Sequence, residues 1–256
     1  MLTVGATDQF MMNARTRADH LLVARGLFES RSKAQAAIDA GRVTADGVRV
    51  RKAAQTISAV ALLEAEPAHP YVSRGGLKLA AALAHFRIDP TDKVCLDVGA
   101  STGGFTDVLL REGARRVYAV DVGRNQLHSS LRGRSEVVSL EKTDIRKLDR
   151  SQIVDGVELI VIDVSFISLE KILAPVLALA ESSAELVALI KPQFEVGKKL
   201  ARKGVVRDVK LHRAVCEGIM AFVATIGWEL LGVIESPVAG GDGNREFLLG
   251  ARRASS

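Results

Sequence analysis

Lys191 stands in an unusual place. It closes the apolar run from Leu186 to Ile190 in ALIKPQFE, with Pro192 directly behind it. Lysine is seldom buried without a partner, and proline does not continue a central strand. An ammonium group is therefore being delivered to the lip of a sheet. Three other charged residues have comparable settings: Asp163 closes VELIVID, Glu246 precedes FLLG in GNREFLLG, and Lys78 lies early in SRGGLKLAAALAHF. A cation in a helix's first turns opposes the helix dipole, so helix stability does not explain Lys78. Two lysines and two acids gathered at one edge suit removal of a proton from an alcohol. A free lysine, with a pKa of about 10.4, is protonated at neutral pH. It serves as a base only where a neighbouring ammonium and partial desolvation lower that value, while nearby acids orient it and limit the change. The alternatives are a structural ion pair for Lys191, and a phosphate contact or a solvated cation for Lys78.

A second constellation lies upstream. LDVGASTGGFTD, residues 96–107, reads as a strand, a glycine-bearing turn and a helix start. No Gly-Lys-Ser/Thr follows, so it is not a phosphate loop of that type, and Gly99, Gly103 and Gly104 do not match GxGxxG strictly. Glycines let a backbone approach a ligand, and N–H groups at a helix start can meet a carboxylate. Asp121 closes YAVD, 22 residues after Gly99, where an acid accepts hydrogen bonds from ribose hydroxyls. Asp144, in EKTDIRKL, is expected to close the third strand within reach of an adenine amino group. Either acid alone would equally serve as a helix cap or a solvated loop residue; together they favour a nucleotide-like pocket.

These residues need a scaffold that brings strand ends together. KVCLDVG, RRVYAVD, EVVSL, VELIVID and ELVALIK are apolar runs of strand length, while TGGFTDVLLREG, SLEKILAPVLALAES and LHRAVCEGIMAFVATIG carry apolar residues at helical spacing. Such alternation predicts a parallel sheet with helices on both faces, whose carboxyl ends share one ligand-binding edge. GWELLGVIESP and REFLLGARR are joined without room for a helix, so the last strand is expected to run antiparallel. Before this region, RADHLLVARGLFESRSKAQAAIDAGRV gives two short helices, with Leu21, Leu22 and Leu27 on the first and Ala34, Ala37 and Ile38 on the second. Ser30 is the expected cap of the second helix, Gly41 its end, Asp46-Gly47 a hairpin turn and TISAVALLEAE a strand. PAHPYVSRGG reads as a linker.

Residues 1–87 carry 12 Lys/Arg against 7 Asp/Glu, and the rest of the chain carries 23 of each. This asymmetry points to a nucleic-acid partner for the first third, against the alternative of a merely solvated basic face. A further basic cluster, KKLARKGVVRDVKLHR, runs from Lys198 to Arg213. Cys95 and Cys216 have neither disulfide nor metal-ligand spacing and read as buried thiols. The histidines form no constellation, Ser101 has no triad partner, and no acid or cysteine cluster suggests a metal. With neither a secretory signal nor a membrane-length apolar run, a cytoplasmic location is expected.

At these residues the sequence closely resembles the haemolysin-A (TlyA-type) rRNA 2′-O-methyltransferases. RADHLLVARGLFESRSKAQAAIDAGRV is similar to the S4 pattern, and SRGGLKL, DVGASTGGFTDVLL, VDVG, DVSFISL, IKPQFE and NREF resemble family blocks in family order. The resemblance spans about residues 15–252. It implies an α/β, Rossmann-like methyltransferase domain of the FtsJ/RrmJ type, with a seven-stranded, mostly parallel sheet and an antiparallel last strand, behind a small α+β S4-type domain. The implied divisions are a tail (1–14), the S4-like domain (15–66), a linker (67–75) and the methyltransferase domain (76–252). The resemblance further implies S-adenosyl-L-methionine as cofactor, held by Asp97, Gly99, Ala100, Ser101, Thr102, Gly103, Gly104, Phe105, Asp121, Val122, Asp144 and Asp163. Lys78, Asp163, Lys191 and Glu246 map onto the family's catalytic tetrad, with Lys191 as base. The implied substrate is a cytidine 2′-hydroxyl in ribosomal RNA or subunits, met through Arg17, Arg25, Arg31, Lys33, Arg42 and Arg74. No metal or membrane partner is implied, and a monomer is the expectation. The hairpin departs from the usual S4 V-x-V-N-G by reading VTADG, which would loosen the turn or alter an RNA contact. Three alternatives stand beside this reading: a non-catalytic RNA-binding protein on the same fold, a base methyltransferase, and a membrane-lytic toxin, for which no amphipathic stretch argues.

Overall fold

The computed structural model describes residues 14–148, 150–197 and 204–254; most of the expected tail and residues 198–203 of the basic cluster lie outside the described residues. The chain divides after Pro70 into two units.

The first unit contains β1 (Arg15–Arg17), α1 (Ala18–Ala24), α2 (Arg31–Asp39), β2 (Val43–Ala45), β3 (Val48–Arg49), β4 (Thr56–Ser58) and β5 (Leu63–Ala65). Strands β1 and β4 pair with each other, and β3, β2 and β5 form a three-stranded sheet. Leu22, Ala34, Ala37, Ile38 and Val43 share one small core. Ser30 caps α2 by accepting the Lys33 N–H at 3.3 Å. Asp46 and Gly47 adopt φ of 51° and 75°, the pair of left-handed conformations a two-residue type I′ hairpin turn demands. The Asp46 carboxylate is built into this turn, since Oδ1 accepts the Leu62 N–H at 2.9 Å. Two expectations need correction. Leu27 is 42% exposed, because α1 ends at Ala24, before the third apolar position. TISAVALLEAE forms two strands rather than one: the Ala61 N–H turns back to the Ser58 carbonyl and the Leu62 carbonyl bonds the Asp46 N–H.

The second unit runs α3 (Gly75–Phe86), β6 (Val94–Val98), α4 (Gly104–Arg111), β7 (Arg116–Val120), β8 (Val137–Leu140), β9 (Val157–Ile162), α5 (Glu170–Leu177), β10 (Ala180–Ile190), α6 (Pro192–Glu195), α7 (Val209–Thr225), β11 (Trp228–Glu235) and β12 (Phe247–Arg253). Its seven strands lie in the order β11-β12-β10-β9-β6-β7-β8, with β12 antiparallel to both neighbours and the other pairs parallel. The apolar runs are continuous because the central strands are covered on both faces. In β9, Leu159 and Val161 pack with Leu79, Val108 and Leu109 of α3 and α4. Ile160 and Ile162 point the other way, into a core with Leu173 of α5 and Ile219 and Val223 of α7. The segment expected to remain helical to residue 182 instead leaves α5 at Leu177 and enters β10 at Ala180, whose pairing with β9 shifts register between Ala180 and Glu185.

Register decides what meets at the carboxyl edge. Strand order reverses at β6, flanked by β7 and β9, which opens a crevice there. Val98 pairs with Ile162, so Gly99 and Asp163 follow together, and Ile190 pairs with Phe247, so Lys191 and Glu246 are the next residues across that ladder.

Candidate active site

Lys78, Asp163, Lys191 and Glu246 all line one cavity of about 550 Å3. They are organised as two pairs. Lys191 Nζ lies 2.6 Å from Asp163 Oδ1, and Lys78 Nζ lies 2.5 Å from Glu246 Oε2. Both lysines and Glu246 are buried. A buried charge without a partner is strongly unfavourable, so each pair exists as a unit and losing one member strands the other. Gln193 Nε2 reaches Glu246 Oε1 at 3.4 Å. Gly240 lies so close to this carboxylate that a Cβ there would meet Glu246 Oε1 at 2.0 Å. Lys191 Nζ also donates to Ser165 Oγ at 2.9 Å.

A second cavity, of about 440 Å3, shares Gly99, Ser101, Asp163, Ser165 and Phe166 with the first. Gly99 has φ of +86°, and a Cβ on it would lie 2.5 Å from the Asp163 carbonyl oxygen, so the close approach of the β6 and β9 ends requires glycine. Asp121 and the exposed Val122 line this second cavity. The Asp121 carboxylate accepts from the Ser101 N–H at 2.8 Å and the Gly123 N–H at 2.6 Å, bracing the turn. Ala100, Thr102, Gly104 and Phe105 line the first cavity; neither cavity is lined by Gly103 or Asp97. Asp97 is fully buried beneath the turn: Oδ2 accepts the Thr106 hydroxyl at 2.6 Å and Oδ1 has no partner. Burial pushes its carboxyl up to about 7.

Asp144 lines the second cavity but does not close a strand. It lies four residues past β8, where its carboxylate accepts the Arg146 N–H at 3.0 Å and grips the Arg146 guanidinium at 2.6 Å. That guanidinium holds the Asp144 carboxyl down at about 2.

Residues 71–253 match the family described as FtsJ-like methyltransferase, and residues 16–59 match the S4 domain. The chain belongs to the FtsJ-like methyltransferase family. It is 43% identical over 244 residues to the 16S/23S rRNA (cytidine-2′-O)-methyltransferase TlyA of Mycobacterium tuberculosis, covering 94% of this chain and 91% of that protein. It is 41% identical to Hemolysin A of Brachyspira hyodysenteriae, over 91% of this chain and 98% of that one. A solved Streptococcus thermophilus protein that carries the name hemolysin superposes with a TM-score of 0.74 at 41% identity, over 94% of this chain and 90% of that one. Among the described residues no helix is long and apolar enough to cross a membrane, and no group of three or more metal-ligating side chains occurs.

Within this FtsJ-like framework, the cations expected to meet RNA are already engaged in their own unit. Arg17 and Arg31 converge on the buried Asp19 carboxylate at 3.0 and 3.2 Å. Lys33 pairs with Glu29 at 2.6 Å and Arg42 with Glu66 at 2.8 Å. Arg25 differs, since its guanidinium bonds the carbonyls of Ala59 and Ala61 at 2.5 Å each and braces the β4–β5 connection. Arg74 is exposed and lines the first cavity, in the second unit. Tyr71 to Arg74, read from sequence as linker, belong to this second unit: the Val72 N–H bonds Asp107 Oδ2 at 2.9 Å. Sequence reasoning assigned no role to Phe166, which is 89% exposed on the rim of both cavities. It has φ of 65°, and its ring lies 4.9 Å from that of Phe194. The signal was present in DVSFISL, an apolar residue directly after two cavity-facing positions, but sequence alone does not distinguish an exposed aromatic from a core one.

Proposed function

We propose that this protein transfers a methyl group from S-adenosyl-L-methionine to the 2′-oxygen of a cytidine in ribosomal RNA, of the large subunit and also of the small. The observation that carries the reading is the convergence of two lysine–carboxylate pairs in a cavity that adjoins a second, nucleotide-sized one across the Gly99 turn. The relatives named as rRNA (cytidine-2′-O)-methyltransferases supply the substrate class, and the S4 match supports an RNA partner.

The second cavity fits the nucleoside part of the cofactor. Asp121 suits the ribose hydroxyls, Val122 and Ile145 give apolar surface for a purine, and Asp144 suits its amino group once Arg146 yields. Ala100, Thr102 and Gly104, on the first cavity's wall, would face the remainder. When bound, the cofactor supplies a sulfonium-activated methyl group. The protein's task is to position the acceptor and remove its proton. Lys191 Nζ takes the 2′-hydroxyl proton, and Asp163 holds that nitrogen in place. Lys78, fixed by Glu246, contributes positive charge beside the developing oxyanion. A 2′-hydroxyl exists in RNA and not in DNA, which makes this site RNA-specific by chemistry. Phe166 offers an exposed ring on which a nucleobase leaving its stack could rest.

The test is incubation with methyl-labelled cofactor and ribosomal subunits, followed by mass-spectrometric mapping of the modified ribose. Wild type should label a cytidine 2′-oxygen in the RNA of each subunit. Lys191→Arg keeps a cation beside Asp163 but cannot deprotonate, so transfer should fall by about a hundredfold or more with cofactor affinity retained. Undiminished transfer by this variant would remove the proposed base.

A further inference from the structure

Lys191 Nζ has two partners, Asp163 Oδ1 at 2.6 Å and Ser165 Oγ at 2.9 Å, and only the first belongs to the tetrad. An ammonium carries three N–H donors; the neutral amine that can accept a proton carries two N–H bonds and one lone pair. We propose that Ser165 is a positioning residue that aims the lone pair of Lys191 at the ribose 2′-hydroxyl. The inference rests on Lys191 being the base.

The Asp163 contact is a short ion pair without hydrogen-bond alignment, because Oδ1 accepts no hydrogen bond, whereas Lys191 Nζ does donate to Ser165 Oγ. In the neutral amine that bond holds one N–H on Ser165 while the Asp163 carboxylate attracts the other, which leaves the lone pair on a nitrogen that lines the acceptor cavity. With Asp163 as sole partner the amine rotates about the Cε–Nζ bond, and the lone pair is shared between productive and unproductive directions. After proton transfer all three positions are N–H donors, and Ser165 keeps the one it held. Ser165 thus serves both protonation states without moving.

The surrounding chain holds Ser165 for this purpose. The Asp163 N–H bonds the Val98 carbonyl at 2.9 Å, fixing where the loop leaves the sheet. Phe166 turns the chain at φ of 65°, a left-handed conformation that costs a residue with a Cβ roughly 1–2 kcal/mol, so packing must hold it there. Its ring lies against Phe194, and Glu195 Oε1 accepts the Leu169 N–H at 2.9 Å. The loop from Asp163 to Leu169 is therefore tied at successive points to residues 191–195, the segment that presents the base. Ser165 itself is exposed and borders both cavities. Removing its hydroxyl leaves no hole in a core, which separates this role from a merely structural one.

The experiment compares Ser165→Ala and Ser165→Thr with wild type for kcat, KM for ribosomal RNA, S-adenosylhomocysteine affinity and melting temperature. The alanine variant should lose about tenfold in kcat, with KM, cofactor-product affinity and melting temperature essentially unchanged, and threonine should restore most of the loss. A kcat for Ser165→Ala within twofold of wild type would overturn the inference, as would equal impairment of both variants. If Lys191→Arg is inactive while Ser165→Ala is fully active, only the role of Ser165 falls. If wild type transfers no methyl group to ribose, the functional reading falls and takes this one with it.

Discussion

Asp97 carries the only charge in β6, and its side chain is fully buried with one oxygen unpartnered. Desolvation is the main reason its carboxyl titrates at about 7, with Asp163 and Asp121 adding to the rise and the Thr106 hydroxyl opposing it. In the unfolded chain the same group titrates near 3.8. Between these values the folded protein holds a proton that the unfolded chain has released. The stabilising contribution is thus complete below about 4 and declines as the pH rises toward 7, beyond which the folded carboxylate is also ionised. Asp97→Asn removes this linkage. The variant should gain stability relative to wild type between pH 5 and pH 8 by on the order of 2 kcal/mol, read from denaturant midpoints at the two values. An offset that does not change with pH would mean that Asp97 is ionised throughout. The tetrad shows a different solution to the same difficulty: there buried charges are kept by pairing cation with carboxylate, whereas Asp97 has only a hydroxyl.

Elements, in turn, deliver these side chains by ending where they do. Gly99 lets the end of β6 pass the end of β9 closely enough for both cavities to share one wall. Gly99→Ala should push a Cβ against the Asp163 carbonyl and force a positive φ on alanine. A loss on the order of 1–3 kcal/mol in stability and cofactor binding weakened by more than tenfold are expected, measured by thermal unfolding and calorimetric titration; unchanged binding would mean the turn has slack. Much of this arrangement was legible in the sequence, because strands buried on both faces leave unbroken apolar runs and any charge closing such a run stands out. Lys191 and Asp163 announced themselves in that way. Asp144 did not, since the short EVVSL run leaves its own end ambiguous and the acid proved to cap the following turn. The α5–β10 boundary was hidden for a related reason: Leu, Ala and Glu fit helix and strand alike, and no Gly or Pro marks the change between Leu177 and Ala180. TISAVALLEAE lacked a turn signal as well; a local turn from Ala61 back to Ser58 and tertiary bonds to Asp46 and Arg25 split it. Which lysine pairs with which acid was not legible either: the β10–β12 register sets Lys191 across from Glu246, yet Lys191 pairs with Asp163 and Glu246 with Lys78.

At the scale of the whole molecule, chemistry and charge are carried by different parts of the chain. The surplus of cations lies in residues 1–87, while the remainder is neutral and holds the lysine–carboxylate pairs. In the first unit the cations proposed to meet RNA are held by carboxylates or carbonyls. Lys33–Glu29 and Arg42–Glu66 are solvent-accessible pairs that contribute little to stability, so there a phosphate can displace the carboxylate at small cost. Arg17 and Arg31 instead neutralise the buried Asp19 and are not released so readily. Arg42 tests this division most cleanly, because it and Glu66 are both exposed. Arg42→Gln should leave the melting temperature nearly unchanged and weaken ribosomal RNA binding several-fold at low salt. The slope of log affinity against log salt concentration should shrink by about 0.7–0.9, the signature of one lost phosphate contact. At saturating RNA, kcat should match wild type, since no group of the two pairs has been touched. An unaltered slope would take Arg42 away from the phosphate backbone, and a lowered kcat would show that the S4 unit contributes to the chemical step as well as to capture.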